Sequence, residues 1–277
     1  MVATPIGNLD DISQRATDLL KRVSVVAAED TRRTRVLLEH IGARPDRLMA
    51  LHDHNEGPRS RQLLQLLQQG EDVALVSDAG TPLVSDPGFE LVRLVAAAGL
   101  RAVPVPGPSA VTALLSVSPI PVERFLFEGF LPSKASQRRA RLQALLSRGL
   151  TFIVFESPRR LDGLLSDLIT LAGPEVPVVL GKELTKIHEQ VLHGRAGDIL
   201  ARVQADAGLG KGEYVCIVAP PERSADAEAE DGVLRVLLAE LAPAQAARLA
   251  ARITGSSRSG LYQRALALAD AGNAPDL

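Results

Sequence analysis

The pattern of the chain is organised around the apolar stretch Val73-Ala74-Leu75-Val76, which has no polar position and runs straight into Ser77-Asp78-Ala79-Gly80-Thr81-Pro82. Four apolar residues without alternation predict a short strand buried on both faces. The small residues and proline after it stop strand and helix alike. A second small-acidic turn, Ser85-Asp86-Pro87-Gly88, hands over to helical periodicity across 89–98. The same alternation fills the first half. Apolar runs at 23–28, 48–51, 73–76 and 101–105 predict strands. Helical spacing follows at 12–20, before Gly42, at 58–69, at 89–98 and at 110–117. Only Val2 and Ala3 precede the turn Thr4-Pro5-Ile6-Gly7, so the opening strand is expected to be short. This order predicts a doubly wound α/β domain with a parallel sheet over 1–117.

Two prolines in Ser118-Pro119-Ile120-Pro121-Val122-Glu123 break the pattern and mark a linker at 118–123. A second α/β domain, 124–220, opens with Phe125 to Phe130. It carries strand patterns at 151–155, 176–180, 190–193 and 214–218, with helices at 136–147, 161–172 and 199–207. The close approach of the 190–193 run predicts antiparallel pairing and therefore a mixed sheet. The acidic, alanine-rich stretch 221–231 reads as a flexible link. Beyond it, 232–277 holds three short helical patterns with helix-turn-helix character around Thr254 to Arg258.

Composition narrows the function. The longest apolar run, 214–219, is six residues, too short for a membrane span, and the amino terminus lacks the basic and apolar segments of a secretion signal. Cys216 stands alone inside a strand pattern, which predicts a core thiol, no disulfide framework and a reducing cytoplasm. A formal net charge of −2 means that a polyanion would have to be met by local cationic patches. No G-x-G-x-x-G follows the first strand, and Gly208-Leu209-Gly210-Lys211-Gly212 precedes a strand, so neither a dinucleotide turn nor a P-loop is supported. Gly107-Pro108-Ser109-Ala110-Val111 lacks the second glycine of a nucleophile elbow. His52-Asp53-His54 would need further ligands that the sequence does not place, and His188, Glu189 and His193 lack the spacing of a helical zinc pair, so no metal site is expected.

What remains is a set of turns at strand ends. A carboxylate and a glycine after a buried strand suit a ligand crevice in an α/β sheet, because glycine lets backbone approach the ligand and the carboxylate accepts its donors. The segments V-A-T-P-I-G-N-L-D-D-I-S at 2–13, A-E-D-T-R at 28–32, S-D-A-G-T-P-L-V-S-D-P-G at 77–88 and V-P-G-P-S-A at 105–110 resemble the tetrapyrrole-methylase-type (class III) S-adenosylmethionine methyltransferases. Within that superfamily, E-G-F-L-P at 128–132, F-E-S-P-R-R at 155–160, K-E-L-T-K at 182–186 and K-G-E-Y-V at 211–215 resemble the ribosomal RNA small-subunit methyltransferase I family.

That resemblance implies two α/β domains with S-adenosylmethionine folded in the cleft between them. It implies methylation of a ribose 2′-hydroxyl on a decoding-region cytidine of the small-subunit (16S) RNA, in the 30S subunit, by a homodimer. Carried over by motif, Pro5 flanks the cofactor, Asp78, Ala79 and Gly80 line it, Val84 packs against it, and Ser109 and Ala110 share the rim. From the second domain, Phe127, Glu128 and the Lys182-Glu183-Leu184 turn close the cleft. Candidates for the base that takes the hydroxyl proton are Glu29, Asp30, Lys182 and Glu183, with no choice among them. Arg32, Arg33 and Arg35 after the second strand, and Lys134, Arg138 and Arg139 after Phe130, are expected to contact RNA phosphates; the plain alternative is a solvated helix face. Two other readings compete: a small-molecule, tetrapyrrole-type methylase, which calls for an aromatic-lined cleft, and a non-catalytic cofactor- or RNA-binding protein.

Overall fold

In the computed structural model, which describes residues 1–220 and 225–272, the fully apolar run Val25–Ala28 forms the middle strand of a parallel sheet. This strand, β1, lies between β2 (Arg47–Ala50) and β3 (Val73–Val76), each paired in parallel register. All four β1 residues are buried because helices cover both faces. Val26 and Ala28 point to α1 (Gln14–Arg22) and α2 (Thr31–Ile41). Val25 and Ala27 point to α3 (Glu56–Gln68) and α4 (Phe89–Ala97). Gly42 closes α2 in the left-handed region, φ 69°, which only glycine adopts at no steric cost.

The opening strand is shorter than a regular one and yet central. Val2 bridges in parallel to both Val76 and Val105, with Val2 N–H donating to the Leu75 carbonyl at 2.9 Å and Ala3 N–H to that of Val105 at 3.1 Å. Of the strand expected at 101–105, only Val105 forms a bridge, and the Val103 carbonyl accepts from the Met1 ammonium at 3.0 Å. Residues 101–104 are exposed, and Pro104 has no N–H to give a ladder. The first helix also starts later than expected. Asn8 caps a 3-10 turn, Leu9–Asp11, and the Ser13 hydroxyl then accepts from Ala16 N–H at 3.1 Å to begin α1.

The second sheet runs in the order β4 (Phe125–Phe130), β5 (Thr151–Glu156), β8 (Tyr214–Val218), β6 (Pro177–Lys182), β7 (Gln190–Arg195). Only β4 and β5 are parallel, so the sheet is mixed. One face packs on α6 (Ala135–Ser147), α7 (Pro158–Ala172) and α8 (Ala196–Ala205), through Leu142, Leu161, Leu165 and Ile199. Cys216 lies in this core, where burial pushes its thiol far above the ordinary range. The opposite face, Ile153, Val179 and Ile217, packs on Val111 and Leu114 of α5 (Ala110–Ser116) and on Ile6. A helix of the first half is thus built into the core of the second. The 118–123 connection follows α5 closely, with Ile120 buried and the Thr151 hydroxyl donating to the Pro121 carbonyl at 3.2 Å.

Three carboxy-terminal helices, α9 (Ala225–Leu238), α10 (Pro243–Thr254) and α11 (Arg258–Gly272), share a small core of Leu234, Ala246, Ala250 and Leu261. Most of the stretch expected to be a flexible link is therefore helix: α9 covers 225–231, and only 221–224 of the link lie outside the described residues. Alanine is the best helix former, and Asp231, 3% exposed, is anchored by Arg264 at 2.6 and 2.8 Å. Arg264 also pairs with Glu230. Among the described residues no helix is long and apolar enough to cross a membrane.

Candidate functional site

A cleft of about 370 Å³ opens between the carboxyl end of the parallel sheet and the edge of the mixed sheet where β4, β5 and β6 end and β8 begins. From the first half it is lined by Glu29 after β1, by Asp78, Ala79 and Gly80 after β3, and by Ser109 and Ala110 at the start of α5. From the second half come Phe130, Phe155 and Glu156 at the ends of β4 and β5, Glu183 and Leu184 after β6, and the 212–215 segment entering β8. Crevices outside the carboxyl ends of parallel strands are where α/β sheets bind ligands.

The turns around the cleft are held in costly conformations. Among the described residues, the non-glycine positions at positive φ are Leu83 (74°), Ser85 (68°), Glu183 (49°) and Thr185 (67°). Such residues cost roughly 1–3 kcal/mol each, and a β-branched one is rare. All four lie in two turns, one from each half, that reach the cleft through Ser85 and Glu183. The Thr185 hydroxyl oxygen accepts from Asn8 N–H at 3.1 Å, and Thr185 N–H donates to Glu189 Oε2 at 2.5 Å. Gly7 sits so close that an added Cβ would lie 2.4 Å from Lys186 Cγ and 2.9 Å from the Leu184 carbonyl oxygen. The first turn is tied to the second strand-end turn as well, by a two-way bond between Thr4 and Gly80 at 2.9 and 3.0 Å. Gly80 itself has φ 85°.

The first-half wall is acidic. Glu29, Asp78 and Asp86 line it, with Arg33 at 3.4 Å from Asp78 Oδ2. Burial, then Asp78, push the Glu29 carboxyl above its usual range. Burial, then Glu29, push Asp86 up to about 6. Asp78 Oδ1 accepts from Asp30 N–H at 2.8 Å, which fixes the carboxylate. On the other wall, burial would raise Glu183, but the Lys186 ammonium at 2.8 Å and Glu213 N–H at 2.9 Å outweigh it and hold its carboxyl below the usual range.

The structure separates the residues singled out from sequence. Asp78, Ala79, Gly80, Val84, Ser109, Ala110 and Leu184 line the cleft, and so do Glu29, Glu183 and Arg33. Pro5 does not; its neighbour Ile6 does. Phe127 stands behind the wall, packed on Phe155 at 5.1 Å, and Glu128 is turned to Arg141 at 2.5 and 2.7 Å. Lys182 is 5% exposed and leaves the lining to its strand neighbour Gly181. Asp30 caps α2 and holds Arg32 at 2.6 Å, outside the cleft, with its carboxyl far below the usual range. Arg35 and Lys134 are exposed. Arg138 is not a surface residue: it is 8% exposed and bonded to Asp167 at 2.8 Å, because helical spacing turns it into the α6–α7 interface. Arg139, 3.7 Å from the same carboxylate, remains half-exposed. Sequence reasoning missed Ser85, Asp86, Phe130 and Lys186 as lining residues. The repeat of S-D-x-G at 77–80 and 85–88 was the signal available for the first two.

A two-sheet α/β protein with its crevice between the carboxyl end of a parallel sheet and the facing edge of a mixed one is the class this geometry defines. The family model described as Tetrapyrrole (Corrin/Porphyrin) Methylases matches residues 1–200, and the one described as RsmI C-terminal HTH domain matches 224–269. A protein of Xylella fastidiosa named ribosomal RNA small subunit methyltransferase I is 49% identical over 95% of this chain and 96% of its own length. Proteins of the same name from Pseudomonas aeruginosa, 49% identical over 96% of this chain and 95% of theirs, and Escherichia coli, 46% identical over 96% and 93%, agree. The chain belongs to the tetrapyrrole methylase family and, within it, to the ribosomal RNA small subunit methyltransferase I group. More distant solved structures share the fold. Diphthine synthase superposes with TM-score 0.62 at 16% identity, covering 79% of this chain and 88% of its own. The cobalt-precorrin-4 methyltransferase does so with TM-score 0.58 at 17% identity, covering 79% and 92%.

Proposed function

We propose that the chain is an S-adenosylmethionine-dependent methyltransferase of small-subunit ribosomal RNA, acting on the ribose 2′-hydroxyl of a cytidine in the decoding region of the 30S subunit as a homodimer. The observation that carries this reading is the end-to-end likeness to relatives of that name at 41–49% identity. The cleft residues fit the donor. Gly80 lines the cleft and carries no side chain, so a ligand can approach its backbone. Glu29, Asp78 and Asp86 present negative charge to a cationic molecule.

When bound, S-adenosylmethionine supplies an activated methyl group on a sulfonium. The task left to the chain is alignment, which is worth up to about 7–11 kcal/mol of a barrier, and disposal of the hydroxyl proton. Of the four base candidates, Asp30 and Lys182 stand outside the lining, and Glu183 is engaged by Lys186 and Glu213. Glu29 lines the cleft with raised proton affinity and is the acceptor we propose, an effect worth roughly 10²–10⁴-fold in rate. Arg33 and Lys186, the cations of the lining, are paired with Asp78 and with Glu183 and Glu213, so phosphate contacts fall to the exposed Arg35, Lys134 and Arg139 outside it.

The test is transfer of labelled methyl to small subunits that lack the modification, followed by alkaline hydrolysis. A 2′-O-methyl group blocks cleavage of the adjacent phosphodiester, so the label is expected in an alkali-stable dinucleotide beginning with cytidine. Label in a free mononucleotide would place the methyl on a base and sink the ribose reading.

A further inference from the structure

The chain has six phenylalanines, two tyrosines and no tryptophan, and three of the phenylalanines meet at the cleft. Phe127 packs edge-to-face on Phe155 at 5.1 Å and 68°, and Phe130 packs on the same ring at 5.6 Å and 63°. In a regular strand Phe127 and Phe130, three positions apart, would point to opposite faces. A bulge at Glu128 removes that obstacle: Phe127 pairs with Ile153, Gly129 with Val154 and Phe130 with Phe155. Both rings therefore lie on the face of Ile153 and Phe155. Bulges of this kind re-aim side chains beside functional sites. The backbone pays for it at Gly129, φ 72°, where an added Cβ would lie 2.8 Å from Ser85 Oγ. Phe127 and Phe155 are half-buried, whereas Phe130 is 59% exposed and lines the cleft mouth.

We propose that Phe130, held in place by Phe155, is the platform on which the base of the target nucleotide stacks. The proposal rests on the RNA reading above and names how that site takes its substrate. Single-stranded RNA is recognised largely by stacking unpaired bases on aromatic rings. A nucleotide whose ribose must enter a cleft has to leave its own stack, and the ring offers a replacement. Position places the nucleotide at this mouth: Phe130 is the exposed ring of the cluster, and exposed Lys134, four residues beyond it, brings a cation to the same end of β4.

The experiment compares Phe130→Ala, Phe130→Leu and Phe130→Tyr in the full chain, by methyl-transfer kinetics on small subunits, donor calorimetry and light scattering. Stacking one base is worth about 1–3 kcal/mol, so loss of the ring should raise the KM for the subunit about 5- to 150-fold. Leucine keeps apolar bulk without a π-face and should fail like alanine, and tyrosine should recover most of the loss. Donor affinity and molecular mass should not move. The proposal is overturned if leucine works as well as phenylalanine, if donor affinity falls in step with activity, or if the variants change mass, which would make Phe130 a contact for the donor or for a second copy. A parent chain that moves no methyl to RNA would instead overturn the reading beneath the proposal, and the proposal with it.

Discussion

The Thr185 hydroxyl oxygen accepts a hydrogen bond from Asn8 N–H at 3.1 Å, joining turns 177 positions apart on opposite sides of the cleft. Thr185 does so at φ 67°, a conformation that threonine rarely takes, so the contact is made against a backbone cost.

This latch gives the first prediction. Thr185→Gly relieves the strain, worth roughly 1–3 kcal/mol, and removes one hydrogen bond, worth about 0.5–1.5 kcal/mol. The variant should unfold at or slightly above the parent's temperature while binding S-adenosylmethionine about tenfold more weakly, as judged by calorimetry at 1.4 kcal/mol per tenfold. Unchanged affinity would mean that the latch is only scaffolding. Gly7→Ala should act from the other side, because its Cβ would meet the Leu184 carbonyl oxygen at 2.9 Å.

The acidic wall gives a pH prediction. Burial, Glu29, Asp78 and Asp53 raise Asp86 to about 6 against a hydrogen bond from Ser77, with the Arg33 and Lys186 cations lining the same cleft. Its proton is held more tightly folded than unfolded, so the carboxyl contributes stability below about pH 4 that is lost as pH rises through about 6. Asp86→Asn should therefore raise the melting temperature relative to the parent at pH 8, and the gain should fade towards pH 4. A difference that stays constant with pH would show that Asp86 does not titrate in this way.

Arg138 separates structure from binding. Its bond to Asp167 at 2.8 Å is buried, and removing one partner of such a pair costs about 3–5 kcal/mol. Asp167→Ala should show that loss in urea unfolding, whereas Arg139→Ala, at 3.7 Å and half-exposed, should cost about 0–1 kcal/mol. If Asp167→Ala unfolds within about 1 kcal/mol of the parent, the pair is not the clamp that its burial indicates.

How far these features could be read in sequence depends on their range. Val25–Ala28 and Val73–Val76 were legible because a strand buried on both faces has no polar position to confuse it with anything else. The acidic wall residues were legible in part because turn chemistry is local. Arg138 was not, since its partner is 29 positions away on another helix and one dimension cannot show which side of α6 faces inward. Residues 225–231 misled because alanine with acids is the composition of both a solvated linker and a good helix, and tertiary pairs such as Asp231–Arg264 decide. The aim of Phe130 depends on one bulged residue, which shifts register by a single position and leaves no mark in the hydrophobic pattern.

The cleft as the methyl-donor site is tested most directly by titrating S-adenosylmethionine into the full chain and into Gly80→Val, with Gly42→Val as control. Gly80 and Gly42 have similar φ, 85° and 69°, but an added Cβ at Gly42 meets nothing within 4 Å, so the control carries the backbone strain without touching the cleft. The parent and Gly42→Val should bind the donor with equal affinity, and Gly80→Val should bind none while still melting cooperatively. Full affinity in a folded Gly80→Val chain would contradict the account, because the donor would then have to bind somewhere other than between these two sheets.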